Sequence, residues 1–136
     1  MTRGIRNNNP GNIDHNPANK WQGQLKHDLS IEKRFCRFES AEYGIRALFK
    51  LLRNYQLKHQ LHTIRKIINR YAPPTENNTE SYIRFAAEKV GVSPDAKISA
   101  QDKKVLFALA EGIIKMENSN LQPYSEATFE KAYELL

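Results

Sequence analysis

A mainly helical (α+β) fold with a small hairpin region near its start is what this sequence predicts, on three observations. Apolar residues recur at helical spacing over long stretches, above all from Tyr43 to Tyr55 and from Val105 to Met116. Residues 1 to 38 hold no sustained helical period, and Asn, Pro and Gly are dense through Gly23. At 136 residues the chain is long enough to bury one core without disulfides or metal, so a single domain over residues 1 to 136 is expected.

The chain opens on Arg3-Gly-Ile-Arg-Asn-Asn-Asn-Pro-Gly-Asn-Ile13, a turn dense in special backbone positions. Asn7, Asn8 and Asn9 offer amides that cap nearby backbone, Pro10 fixes one φ, and Gly11 is free to take φ > 0. Ile5 and Ile13 bracket the polar run. Both ends can therefore be pinned to a core while the amides face outward, which suits a partner rich in amide and hydroxyl groups. Trp21-Gln-Gly23 and Phe35-Cys-Arg-Phe38 supply the expected hairpin, the two phenylalanines being read as one strand face.

Ser40 is a good N-cap for a helix using Tyr43, Ala47, Leu48, Leu51, Leu52 and Tyr55. Thr63 opens a second, with Ile64, Ile67, Ile68 and Tyr71 on one face, which must stop before Pro73-Pro74. The stiff loop 72 to 78 presents Glu76. Thr79 caps a third helix closed by Gly91, and Ser99 with Asp102 resembles a capping box for a fourth that runs out at Glu117. A last helix starts near Ser125 and uses Phe129, Tyr133 and Leu136.

Composition narrows the partner without naming it. The net charge of +6 is uneven: residues 1 to 70 carry 14 Lys and Arg against 5 Asp and Glu, and residues 71 to 136 carry 7 against 10. The basic half asks for an anionic partner such as nucleic acid, an anionic membrane or an acidic wall polymer. No apolar run approaches the roughly 20 residues of a membrane helix, and no signal-peptide core is present. Membrane insertion is not expected. Lone Cys36 rules out an internal disulfide and fits a packed, inert thiol made in a reducing compartment.

No zinc pattern, phosphate loop or Gly-x-Ser-x-Gly elbow is present, and His59 with His62 lacks a third ligand, so neither metal nor cofactor is expected. Carboxylates remain. Glu117 lies four residues after Ile113 and eight after Leu109, on the apolar face at the end of a helix. Burial beside the negative end of a helix dipole disfavours the charged form, and a protonated carboxyl is what a glycosidic oxygen needs as proton donor. Glu76 is the second candidate. Glu39 and Glu42 are explained by a helix start.

The Arg3–Ile13 motif, Phe38-Glu-Ser-Ala-Glu-Tyr-Gly-Ile-Arg-Ala-Leu48, the stretch Thr63–Ile83 and Ile113-Ile-Lys-Met-Glu-Asn118 resemble the successive motifs of a phage and prophage family of virion structural or lysozyme-like proteins. The resemblance covers most of the chain and implies a lysozyme-like domain that cleaves the glycan strands of peptidoglycan in phage entry or lysis, acting on the bacterial wall. A more distant resemblance is to lytic transglycosylases and wall glucosaminidases. There a helix ending in the catalytic Glu-Ser precedes an Asn- or Gly-rich turn, a hairpin, a helix entered through Asn or Ser, and a Tyr-Asn turn. Asn8 to Ile13, Trp21 to Phe38, Ser40 to Tyr55 and Arg70-Tyr71-Ala72 are similar to these parts in order.

The catalytic helix has no counterpart before Arg3. Either the chain is a degenerate relative that binds wall without cutting it, or a circular permutation has moved the helix to Ile113–Asn118, where Glu117 would be the acid. Termini commonly lie close together in compact domains. On this reading Glu117 and Glu76 are the catalytic candidates, and Asn8, Asn9, Trp21 and Tyr71 line the substrate groove. A non-catalytic virion or wall-binding protein, in contact with other virion proteins, is the second class. Nucleic-acid binding comes last, because the aromatics do not interleave with Lys and Arg in a recognisable module.

Overall fold

The computed structural model describes residues 1 to 75 and 77 to 136. Six α-helices run along them: α1 (Arg3–Arg6), α2 (Ala41–His59), α3 (Ile64–Tyr71), α4 (Thr79–Val90), α5 (Lys103–Glu117) and α6 (Glu126–Glu134). The chain divides into two compact units, the first made of Met1–Lys50 with Ile114–Leu136 and the second of Leu51–Ile113. No helix among the described residues is long and apolar enough to cross a membrane.

The helices begin where short polar side chains can take up orphan N–H groups. Ser40 Oγ accepts from Tyr43 N, Thr63 Oγ1 from Lys66 N and Ser125 Oγ from Thr128 N, as their spacing predicts. Two starts differ. Asn78, not Thr79, caps α4 by accepting from Ser81 N; Thr79 is the first helical residue, and its buried hydroxyl donates to Ala72 O at 2.7 Å. Asp102, not Ser99, caps α5, accepting from Lys104 N at 2.9 Å and from Val105 N. Gly91 closes α4 at φ 82°.

In the first unit Phe38, Ile45, Leu48, Phe49, Ile114 and Phe129 are buried, and Phe49 meets Phe129 and Tyr133 edge to face. In the second, Ile64, Ile67 and Ile68 of α3 are buried and α3 packs on α4, which buries Tyr82, Ile83 and Ala86. Gln56, also buried, donates to Ile98 O and accepts from Ala100 N, tying the loop before α5 to α2.

The expected hairpin does not form: among the described residues there is no strand, only isolated antiparallel bridges, two of which, Asp14 to Phe35 and Gln24 to Phe38, lie in this region. Side chains take the places a ladder would use. Glu32 accepts from Arg34 N and Phe35 N, both at 2.8 Å, while the Asn9 amide donates to Ile13 O and Cys36 O. Nor do Phe35 and Phe38 share a face. Three residues apart in extended chain they point oppositely, Phe38 into the core and Phe35 between the Arg3 and Arg34 guanidiniums.

Candidate functional site

The site grows from the Asn-rich turn of the first unit. Thr2 caps α1, a single helical turn over Arg3–Arg6, and the chain then reverses through Asn8 at φ 52° and Asn12 at φ 50°, left-handed positions that Asn tolerates. The amides do not face outward as expected. Asn7 Nδ2 donates to Glu32, Asn8 Nδ2 to Phe38 O, and Asn9, fully buried, holds Ile13 and Cys36 through both ends of its amide. These three side chains are the frame that replaces a sheet.

Glu32 anchors that frame. Its buried carboxylate takes Arg3 in a two-pronged pair, both contacts 2.7 Å, besides the Asn7 amide and the two backbone N–H groups. The Arg3 guanidinium holds this carboxyl far below the usual glutamate range, outweighing burial. Burial, with Asp14 nearby, pushes the Cys36 thiol up to about 11, so it is a packed and unreactive group.

The turn meets the C-terminal end of α5. Asn118, fully buried just past Glu117, donates to Pro10 O at 2.7 Å and Ile114 O at 2.8 Å and accepts from Thr2 Oγ1 at 2.6 Å. Against it Gly4 fits because a Cβ would press on Asn118 Oδ1, Asn12 Oδ1 and Asn9 O. Asn12 Nδ2 then donates to Glu117 Oε1 at 3.0 Å, and it also reaches Glu117 O at 3.4 Å. The opposite end of the Asn12 amide, Oδ1, is shielded from solvent and has no donor.

Glu117 is thus half-buried at the end of α5 with one carboxylate oxygen held by the Asn-rich turn. Among the other predicted residues, Trp21 lies in the same unit and lines a surface pocket of about 330 Å³ with His15, Lys20, Gln24, Lys26 and His27. Gly23, at φ 77°, carries the turn under the Tyr43 ring, where a Cβ would clash. Tyr71 belongs to the second unit, edge-on to Tyr55. Glu76 lies outside the described residues. Sequence reasoning passed over Asn12 and Asn118, whose signal was present: Asn12 ends the Asn-Pro-Gly-Asn turn, and Asn118 follows the candidate acid.

No family model matches this chain. It is 37% identical over 132 residues to Protein P5 of Pseudoalteromonas phage PM2, across 97% of this chain and 80% of that protein. An alignment that passes through nearly every element described above, at this identity, shows common descent: the chain belongs to the family of this phage protein.

Proposed function

We propose that the protein cleaves the glycan strands of peptidoglycan, with Glu117 as the proton donor. The observation that carries the reading is the meeting of Glu117, at the end of α5, with Asn12 of the Asn-rich turn. In the lysozyme-like enzymes that the sequence resembles, a catalytic glutamate ends a helix that leads into such a turn. Here the two parts come from opposite ends of the chain, which is the arrangement a circular permutation would give. Kinship to a phage protein supports a phage role, and a phage acts on the wall glycan at entry or lysis.

In this mechanism the Glu117 carboxyl gives its proton to the oxygen between N-acetylmuramic acid and N-acetylglucosamine as that bond breaks. Asn12, holding Oε1, fixes the rotamer of the acid. In the transglycosylase form the carboxylate left behind takes the proton of the sugar hydroxyl that closes on the anomeric carbon, and a single acid suffices. A hydrolase would instead need a second carboxylate roughly 5 to 9.5 Å away; Glu76, the candidate the sequence offers, lies outside the described residues.

One observation favours the second reading, a virion or wall-binding protein without catalysis: the Asn8 and Asn9 amides expected to line the groove hold the frame instead. Digestion of purified peptidoglycan by the wild type and Glu117→Gln, with the released muropeptides identified by mass, separates the two. Anhydro ends that disappear in the variant are the expected result, and reducing ends would make the enzyme a hydrolase. Unchanged release by the variant would remove Glu117 from the mechanism. Wall binding without release would establish the structural reading.

A further inference from the structure

The pocket around Trp21 is rich in donors and, among the described residues, lacks a carboxylate. Lys20, Lys26, His15, His27, Gln24 and Trp21 line it, and no described Asp or Glu side chain does. The neighbouring acids are engaged elsewhere: Asp14 with Arg34 at 2.6 Å, and Asp28 with the backbone and hydroxyl of Ser30. Gln24 Oε1 accepts from Trp21 N, so the Gln24 amide offers its NH2 to further partners. His15 and His27 lie face to face, ring centroids 3.7 Å apart and 6° from parallel, which makes one wall a flat double layer. The indole Nε1 is shielded from water and has no acceptor among the described residues.

A cavity of about 330 Å³ holds one ring and its substituent rather than a length of strand. We propose that it is a subsite for the peptide-bearing sugar of the wall glycan, N-acetylmuramic acid, whose lactyl group carries an acidic peptide arm. This inference rests on the wall-glycan reading above. The two ammonium groups receive the carboxylate, and the indole and Leu25 take the apolar side of the ligand. Because the neutral and the acid-bearing sugar alternate along the polymer, a basic pocket accepts every second residue. It fixes the register in which a strand is held.

Trp21 is the only tryptophan, so fluorescence of the full chain excited on the red edge, where its tyrosines do not absorb, reports on this pocket. The experiment titrates the protein with muramyl dipeptide, with the uncharged disaccharide of N-acetylglucosamine and with inorganic phosphate. Saturable change is expected with muramyl dipeptide, about tenfold tighter than with either of the others. The exposed pair Lys20→Gln/Lys26→Gln should keep its circular dichroism and melting temperature and lose that preference. No saturable response, equal binding of the neutral disaccharide, or equal binding of phosphate each overturns the assignment. Fragment release without a fluorescence response removes the subsite alone. A response without fragment release leaves the subsite and removes the cleavage reading.

Discussion

Glu32 is a single residue on which several backbone groups depend. Glu32→Gln keeps one of its two acceptor oxygens and turns an NH2 either on the N–H groups of Arg34 and Phe35 or on the Asn7 amide and Arg3, so it should lower unfolding free energy by about 2–3 kcal/mol in urea titration. The pairing has a definite pH signature. A carboxyl whose folded-state pKa is depressed adds stability that is fully present above the ordinary glutamate range and fades as pH falls below about 4. The wild type should lose stability through that acid range, and Glu32→Gln should lose less of it. Cys36, by contrast, should be silent: a thiol reagent at pH 8 reacts with it only after denaturant is added. At this scale the sequence was half legible. The concentration of Asn, Pro and Gly marks residues 3 to 13 as a rigid turn, but whether an amide points to solvent or to a carbonyl 27 residues away, as Asn9 does, depends on long-range packing that no local pattern contains.

At the scale of elements, periodicity and caps made the helices readable. Four of the five predicted starts fall within a residue or two of the real ones, because each is set by a short-range contact between a side chain and a backbone N–H three positions on. The fourth helix misplaces the cap by three residues, since both Ser99 and Asp102 have the right chemistry and only Asp102 accepts from the helical N–H groups. Asp102→Ala should therefore cost about 1 kcal/mol, and Ser99→Ala should leave the melting temperature nearly unchanged. The hairpin failed for a different reason. Alternation and aromatic content say that a segment can be extended, not that its N–H groups will find another strand. Here a carboxylate took the N–H groups of Arg34 and Phe35, and the Asn9 amide took the Cys36 carbonyl and the Ile13 N–H.

At the scale of the whole molecule, the two units differ in how their parts are drawn from the chain. Leu51–Ile113 is continuous, whereas the other unit joins the first fifty residues to the last segment, with Thr2 bound to Asn118. Such closures are slow steps in folding, because a long loop must be drawn in before its contacts form. Asn118→Ala, which deletes three hydrogen bonds from a fully buried side chain, should slow refolding and destabilise the first unit by a few kcal/mol, on the order of 1–3 for each stranded partner. Hydrogen exchange should show the loss in residues 2 to 13 and spare α3 and α4. The same connection has a meaning during translation. A ribosome making this protein releases the Asn-rich turn 105 residues before Glu117, so the carboxylate has no Asn12 contact until that whole stretch has been made. Whatever work that carboxylate does, a chain not yet extended past α5 is not equipped to do it.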